Sequence, residues 1–212
     1  MIKYFVPSST VYIFALYSGT MAGRPKIYDE EKALDRAIEV FWEKGYENAT
    51  PAELLAAMGI GKGSFYLAYK GGKRELFEKS VQRFFNLYPK PALEALKSSR
   101  NPIEVIRSFY YVMADPTTGF WQHGCYLANT VIQTKDKALI KMAEEQLLTI
   151  VEAFTDALSR AKTAGRFQSD LSPEFLGLYL LNLWNGLTVT RKMEEDPAKL
   201  KALIDKNLEI LT

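Results

Sequence analysis

Cysteine and histidine are almost absent: Cys125 is the only thiol and His123 the only imidazole in 212 residues. One thiol excludes an intrachain disulfide framework, and one imidazole excludes any site within the chain that needs two. A His-rich zinc centre, a Cys-x-x-Cys site and a two-histidine metalloprotease are therefore ruled out, and neither a metal nor another cofactor is expected. Net charge is slight, +2, so no globally basic coat for nucleic acid is present. Long apolar runs are lacking as well. The uncharged stretch Val11–Tyr17 falls far short of the about 20 residues that span a bilayer, and no membrane partner is expected. What remains is 48% hydrophobic and 25% charged, the make-up of a globular protein long enough to bury its own core. Function has to come from how the charge is distributed.

The first twenty residues differ from the rest. With only Lys3 in front of the apolar run and no small-x-small cleavage site, they make a poor signal peptide. Residues 1–20 are expected to be an upstream extension, a misassigned start, with the working protein opening at Met21; an apolar arm packed on the body is the alternative. Beyond Met21 the pattern is helical. Leu34, Ile38, Phe41 and Trp42 form one apolar face over 30–44, which Gly45 ends. Thr50-Pro51 with Glu53 reads as a capping box opening a helix to Met58. After Gly59-Ile60-Gly61 a short helix runs over 62–69, Gly71-Gly72 interrupts, and a longer helix covers 73–88. Pro89-Lys90-Pro91 breaks the chain and marks a domain boundary. Further helices are predicted from Asn101-Pro102 to Met113, from Gly124 to Gln133, over 136–164 up to Gly165, from Ser172-Pro173 to Met193 and from Asp196-Pro197 to Ile210. No alternating strand pattern competes, so the fold is all-α.

The even balance hides a local pattern. Residues 27–58 hold three cations, Lys32, Arg36 and Lys44, against eight acids, whereas 59–83 hold six, Lys62, Lys70, Lys73, Arg74, Lys79 and Arg83, against Glu75 and Glu78. Arg24 and Lys26 add charge on an arm before the first helix. DNA attracts proteins mainly through its phosphates, so this segment is where a duplex would bind. It also contains helix, glycine turn and helix in the spacing of a helix-turn-helix, whose second helix enters the major groove. An ordinary helical hairpin has the same spacing.

The run Ala37-Ile38-Glu39-Val40-Phe41, then Gly45-Tyr46-Glu47-Asn48-Ala49-Thr50, then Gly59-Ile60-Gly61-Lys62-Gly63-Ser64-Phe65-Tyr66 and Lys73-Arg74-Glu75-Leu76-Phe77 resembles the DNA-binding domain of the TetR family of transcriptional repressors. The resemblance covers roughly residues 27–80. It implies a three-helix reader domain at 21–88 joined to a larger ligand-binding and dimerisation domain at 89–212, about nine helices in all. It departs from the family pattern at Gly61, where a hydrophilic cap is common, at Ala68 and Tyr69, and in the longer Gly71-Gly72 link. By position, Lys62, Gly63 and Ser64 would reach base edges, while Arg24, Thr50, Tyr66 and Lys73 would meet phosphates. Phe65, Tyr69, Leu76 and Phe77 would pack the small core. A cytoplasmic homodimer would read a palindromic double-stranded operator with recognition helices about 34–36 Å apart and release it on binding a small-molecule inducer.

In the larger part, Gly177 and Gly186 would let neighbouring helices approach closely. Phe109, Tyr110, Met113, Phe120, Trp121, Tyr126 and Trp184 would line a pocket between helices, although the same stripe also describes plain core. His123 and Cys125 stand two residues apart at a loop–helix junction. A reactive sensor thiol and a buried, inert one are both open. The rival reading is a helical enzyme using Cys125 and His123, or an adaptor without sequence-specific DNA binding; no orienting acid or oxyanion element supports the enzyme.

Overall fold

A computed structural model describes residues 28–117 and 123–211 of the protein. The extension at 1–20 and the candidates Arg24, Phe120 and Trp121 lie outside the described residues. Every described element is helical. The ten α-helices are α1 (Glu30–Asn48), α2 (Pro51–Met58), α3 (Lys62–Ala68), α4 (Gly72–Leu87), α5 (Pro89–Ser98), α6 (Pro102–Tyr111), α7 (Tyr126–Gln133), α8 (Lys137–Thr163), α9 (Pro173–Met193) and α10 (Pro197–Leu208), with 3-10 turns at Val112–Ala114 and Glu209–Leu211.

Local chemistry places the ends. Asp29 caps α1 by accepting from the Glu31 and Lys32 amides, and Asp136, Ser172 and Asp196 do the same for α8, α9 and α10. Thr50 and Glu53 close a full capping box at α2. At α3 the cap is Gly61, with no side-chain hydrogen bond. Inside α1, Gly45 takes φ 76 and ψ 165, which ends the regular helix where the sequence predicts; one further turn carries Tyr46 and Glu47 onward.

Two expectations change. Pro89 and Pro91 open a helix that the sequence did not predict; they occupy the first turn of α5, where the amides they lack would have no helical acceptor. Only Tyr88, at φ −116 and ψ −64, parts α4 from α5. The glycines of α9 also differ from each other. A Cβ on Gly177 would stand 2.9 Å from the Val151 carbonyl of α8, so α8 and α9 do approach closely there, whereas Gly186 meets nothing within 4 Å in this chain.

The core is continuous from α1 to α10. Phe77 of α4 is its aromatic centre, 4.9 Å from Phe41, 4.9 Å from Tyr46 and 5.9 Å from Tyr126 between ring centroids. Polar links fasten the first four helices to α7 and α8. Trp42 donates to the Gly124 carbonyl at 2.9 Å, and the Ser80 and Tyr126 hydroxyls meet at 2.8 Å, both buried. Glu47 accepts from the Thr134 hydroxyl and the Lys135 amide, and Arg74 lies 3.6 Å from Asp136. Within the small unit, Arg83 grips Asp35 through two guanidinium N–H groups.

Candidate nucleic-acid interface and effector cavity

The α2–α3 turn closes because Gly59 adopts φ +66 and its neighbour Ile60 donates to the Leu55 carbonyl. Phe65, Tyr69, Leu76 and Phe77 are all buried, as expected of a small core. Phe65 anchors α3 from behind, 5.3 Å from the Tyr69 ring. Burial pushes the Tyr69 phenol up to about 12, so it stays neutral. The opposite side of α3 is open: Lys62, Gly63 and Ser64 are exposed, as are Tyr66 and Leu67.

Thr50 and Lys73 stand at the starts of α2 and α4. The Thr50 hydroxyl is engaged with Glu53, whose carboxylate is held at about 2, first by the Lys44 ammonium and then by the Thr50 amide and hydroxyl. Lys73 folds back onto the end of α1, donating to the Glu47 carbonyl at 3.2 Å with its ammonium 4.7 Å above the Tyr46 ring. Partial burial there lowers its ordinary ammonium value. Structure thus brings Lys62, Gly63, Ser64 and Tyr66 onto one open helix face and sets Lys73 half-buried beside it. It adds Leu67, a leucine left 79% exposed on the same short helix, which helical periodicity alone assigns to neither core nor surface.

A second feature is a partly open cavity of about 390 Å³ lined by residues of α4, α5, α6, α7, α8 and α9. That volume lies in the small-molecule range of roughly 300–1,000 Å³. Of the residues expected to line a pocket, Phe109 and Trp184 do so, their rings stacked at 4.3 Å, and the sensor candidate Cys125 joins them on the wall. Tyr110 and Met113 do not. Both are fully buried in the core, and the Tyr110 hydroxyl donates to the Leu180 carbonyl. Tyr126 is likewise buried, its phenol bonded to Ser80, and burial raises its titration well above the ordinary value. His123 lies outside as well, 6.3 Å from the Trp42 ring. The walls that sequence reading missed are Phe84 and Leu87 of α4 and Tyr88 just after it, together with Leu96, Leu147 and Phe154. Their signal was an apolar face on α4 wider than the small core needs.

Cys125 is a buried free thiol whose titration burial raises, against smaller opposing hydrogen bonds from the Ala128 and Leu127 amides and Trp184. It is the inert alternative that this geometry favours, because alkylation requires thiolate and access. Iodoacetamide is expected to leave the native protein unmodified while labelling it fully in denaturant, read by intact mass; comparable labelling of both forms would contradict this. Among the described residues, no group of three or more His, Cys, Asp or Glu is placed to hold a metal ion, and no helix is long and apolar enough to cross a membrane.

A short, open helix braced by a glycine turn on a three-helix core is the geometry of a helix-turn-helix, the class of unit whose second helix enters the DNA major groove. Residues 33–79 match the profile of the "Bacterial regulatory proteins, tetR family". The chain is 32% identical over 196 residues to the uncharacterized HTH-type transcriptional regulator YezE of Bacillus subtilis (strain 168), covering 89% of this chain and 99% of that protein. It is 24% identical over 184 residues to the HTH-type transcriptional repressor DhaR of Mycobacterium sp. (strain GP1), covering 84% and 89%. Its fold is shared with a cysteine mutant of the TetR family transcriptional regulator CifR, at TM-score 0.79 and 24% identity over 90% of this chain and 100% of that one. The chain belongs to the tetR family of bacterial regulatory proteins. Relatives and structural neighbours are transcription regulators, which answers the enzyme alternative.

Proposed function

We propose that the protein is an effector-released repressor that binds a palindromic double-stranded operator as a homodimer in the cytoplasm. Residues 21–88 are the reader, and 89–212 form the effector-binding and dimerisation half. The carrying observation is the open face of α3, where Lys62, Gly63, Ser64 and Tyr66 are displayed while Phe65 is locked behind them. Lys62 and Ser64 reach base edges; Tyr66, Thr50 and Lys73 meet phosphates, with Arg24 joining from the preceding arm. Two similar proteins support this reading: DhaR is named a repressor, and the CifR structure holds 26-bp double-strand operator DNA.

Selection of bound duplexes from a random pool tests it. A preferred sequence with two half-sites about 10 bp apart is expected, with affinity falling steeply as salt rises. Lys73→Ala should weaken all duplexes alike and reduce the salt slope by about 1, and Lys62→Ala should relax sequence preference. Unchanged affinity and preference in both variants would overturn the assignment.

The dimer is supported by one apolar stripe on α9. Phe175, Leu178, Val189 and Met193 are 53%, 56%, 60% and 83% exposed at helical spacing, and Gly186 sits among them facing open space. Leu178→Asp and Val189→Asp are each expected to shift the sedimentation coefficient from dimer to monomer and to weaken operator binding. A charged variant that still sediments as a dimer would point to another interface.

A further inference from the structure

The cavity has an unusual chemical uniformity. Among the described residues, none of the eighteen that line it is charged, and the only polar side-chain atoms among them belong to Tyr88, Cys125 and Trp184. Trp184 already directs its side-chain hydrogen bond at the Cys125 sulfur. Two arginines on the wall helices are turned to other work. Arg107 of α6 donates to the Leu208 carbonyl, and Arg160 of α8 donates to the carbonyls of Leu96 and Lys97. An ion entering this space would lose its water and gain no counter-charge, which is the costly case. An apolar molecule would instead replace solvent against aliphatic and aromatic walls, where burial is favourable in proportion to area.

Resting on the effector reading above, we infer that the cavity takes an uncharged, predominantly apolar molecule, held without a covalent bond and without an ion pair. Phe109 and Trp184 supply a stacked aromatic wall, and Phe84 and Phe154 line the space with it. Cys125 serves as a small apolar wall element, not as a nucleophile.

A matched pair of dyes tests the charge requirement directly. N-phenyl-1-naphthylamine is neutral, and 8-anilino-1-naphthalenesulfonate has the same ring skeleton with one added sulfonate. The full-length protein is titrated with each, and fluorescence gives the affinity. The neutral dye is expected to saturate, with the sulfonate binding at least about tenfold more weakly. Two cavity-filling variants from different helices, Ala92→Trp on α5 and Val105→Trp on α6, show where the dye sits; circular dichroism confirms that each retains the wild-type helix content. Either folded variant should lower affinity for the neutral dye at least about tenfold. Equal or tighter binding of the sulfonate overturns the inference, and so does neutral-dye binding that a folded filling variant leaves unchanged. Duplex affinity is measured in a separate titration. A neutral dye that fills the cavity without changing duplex binding counts against the effector reading and leaves the ligand class standing.

Discussion

Phe77→Ala is expected to cost about 3–5 kcal/mol of unfolding free energy, the range for emptying a buried phenylalanine site. Phe77 is 1% exposed and touches three other rings, Phe41 edge-on, Tyr46 and Tyr126, so its loss leaves a void that three rigid neighbours cannot collapse to fill. Tyr126 adds to the cost, because its hydroxyl is fixed by Ser80 and the ring cannot follow inward without breaking a buried hydrogen bond. For a chain of this size each kcal/mol moves the midpoint by roughly 2–4 °C, so thermal unfolding should fall by about 10 °C. Leu67→Ala is the control. At 79% exposure Leu67 contributes little burial, and its removal should stay within about 0.5 kcal/mol. A Phe77→Ala loss below about 1 kcal/mol would mean that the ring cluster is not the centre of the core.

Gly45→Ala carries the second large effect, through two separable causes. The backbone angles, φ 76 and ψ 165, fall in a region that only glycine occupies without strain, which costs of order 1–3 kcal/mol for any other residue. A Cβ there would also stand 2.6 Å from Oε1 of Gln133 on α7. The double variant Gly45→Ala/Gln133→Ala should recover the steric part and leave the dihedral part, as a double-mutant cycle on chemical unfolding would resolve. Recovery to wild type would show that the backbone itself is unstrained. No recovery would show that Gln133 moves aside freely.

Local signals and long-range ones were legible to different degrees. Asp29, Thr50, Asp136, Ser172 and Asp196 each sit where a helix has amides without acceptors, so element starts could be read from single residues and their neighbours. The turn at Gly59 and the buried side of α3 followed from the same short-range logic. Helix α5 escaped because Pro89 and Pro91 signal both a break and a first turn, and only packing of Leu96 into the core decides between them. The cavity was half legible. Phe109 and Trp184 stood out as aromatics, yet Tyr110 and Met113 on the same segment turn to the core, a division that one helix's sequence cannot encode. Lys73 shows the same limit: its place in the chain suggests a free cation, and only the return of α1 beside it supplies the Glu47 carbonyl and the Tyr46 ring.

Phe84 belongs to two neighbourhoods at once. Its ring helps wall the cavity and also lies 5.1 Å from Trp42 and 5.0 Å from Tyr126. No layer of independent side chains insulates the ligand space from the helices that carry α3. Linkage then sets a symmetrical rule: whatever factor a ligand removes from duplex affinity, the duplex removes from ligand affinity. Protein already seated on DNA would therefore be the poorer receptor, and the ligand concentration that half-empties an operator should rise with the affinity of that operator for the protein.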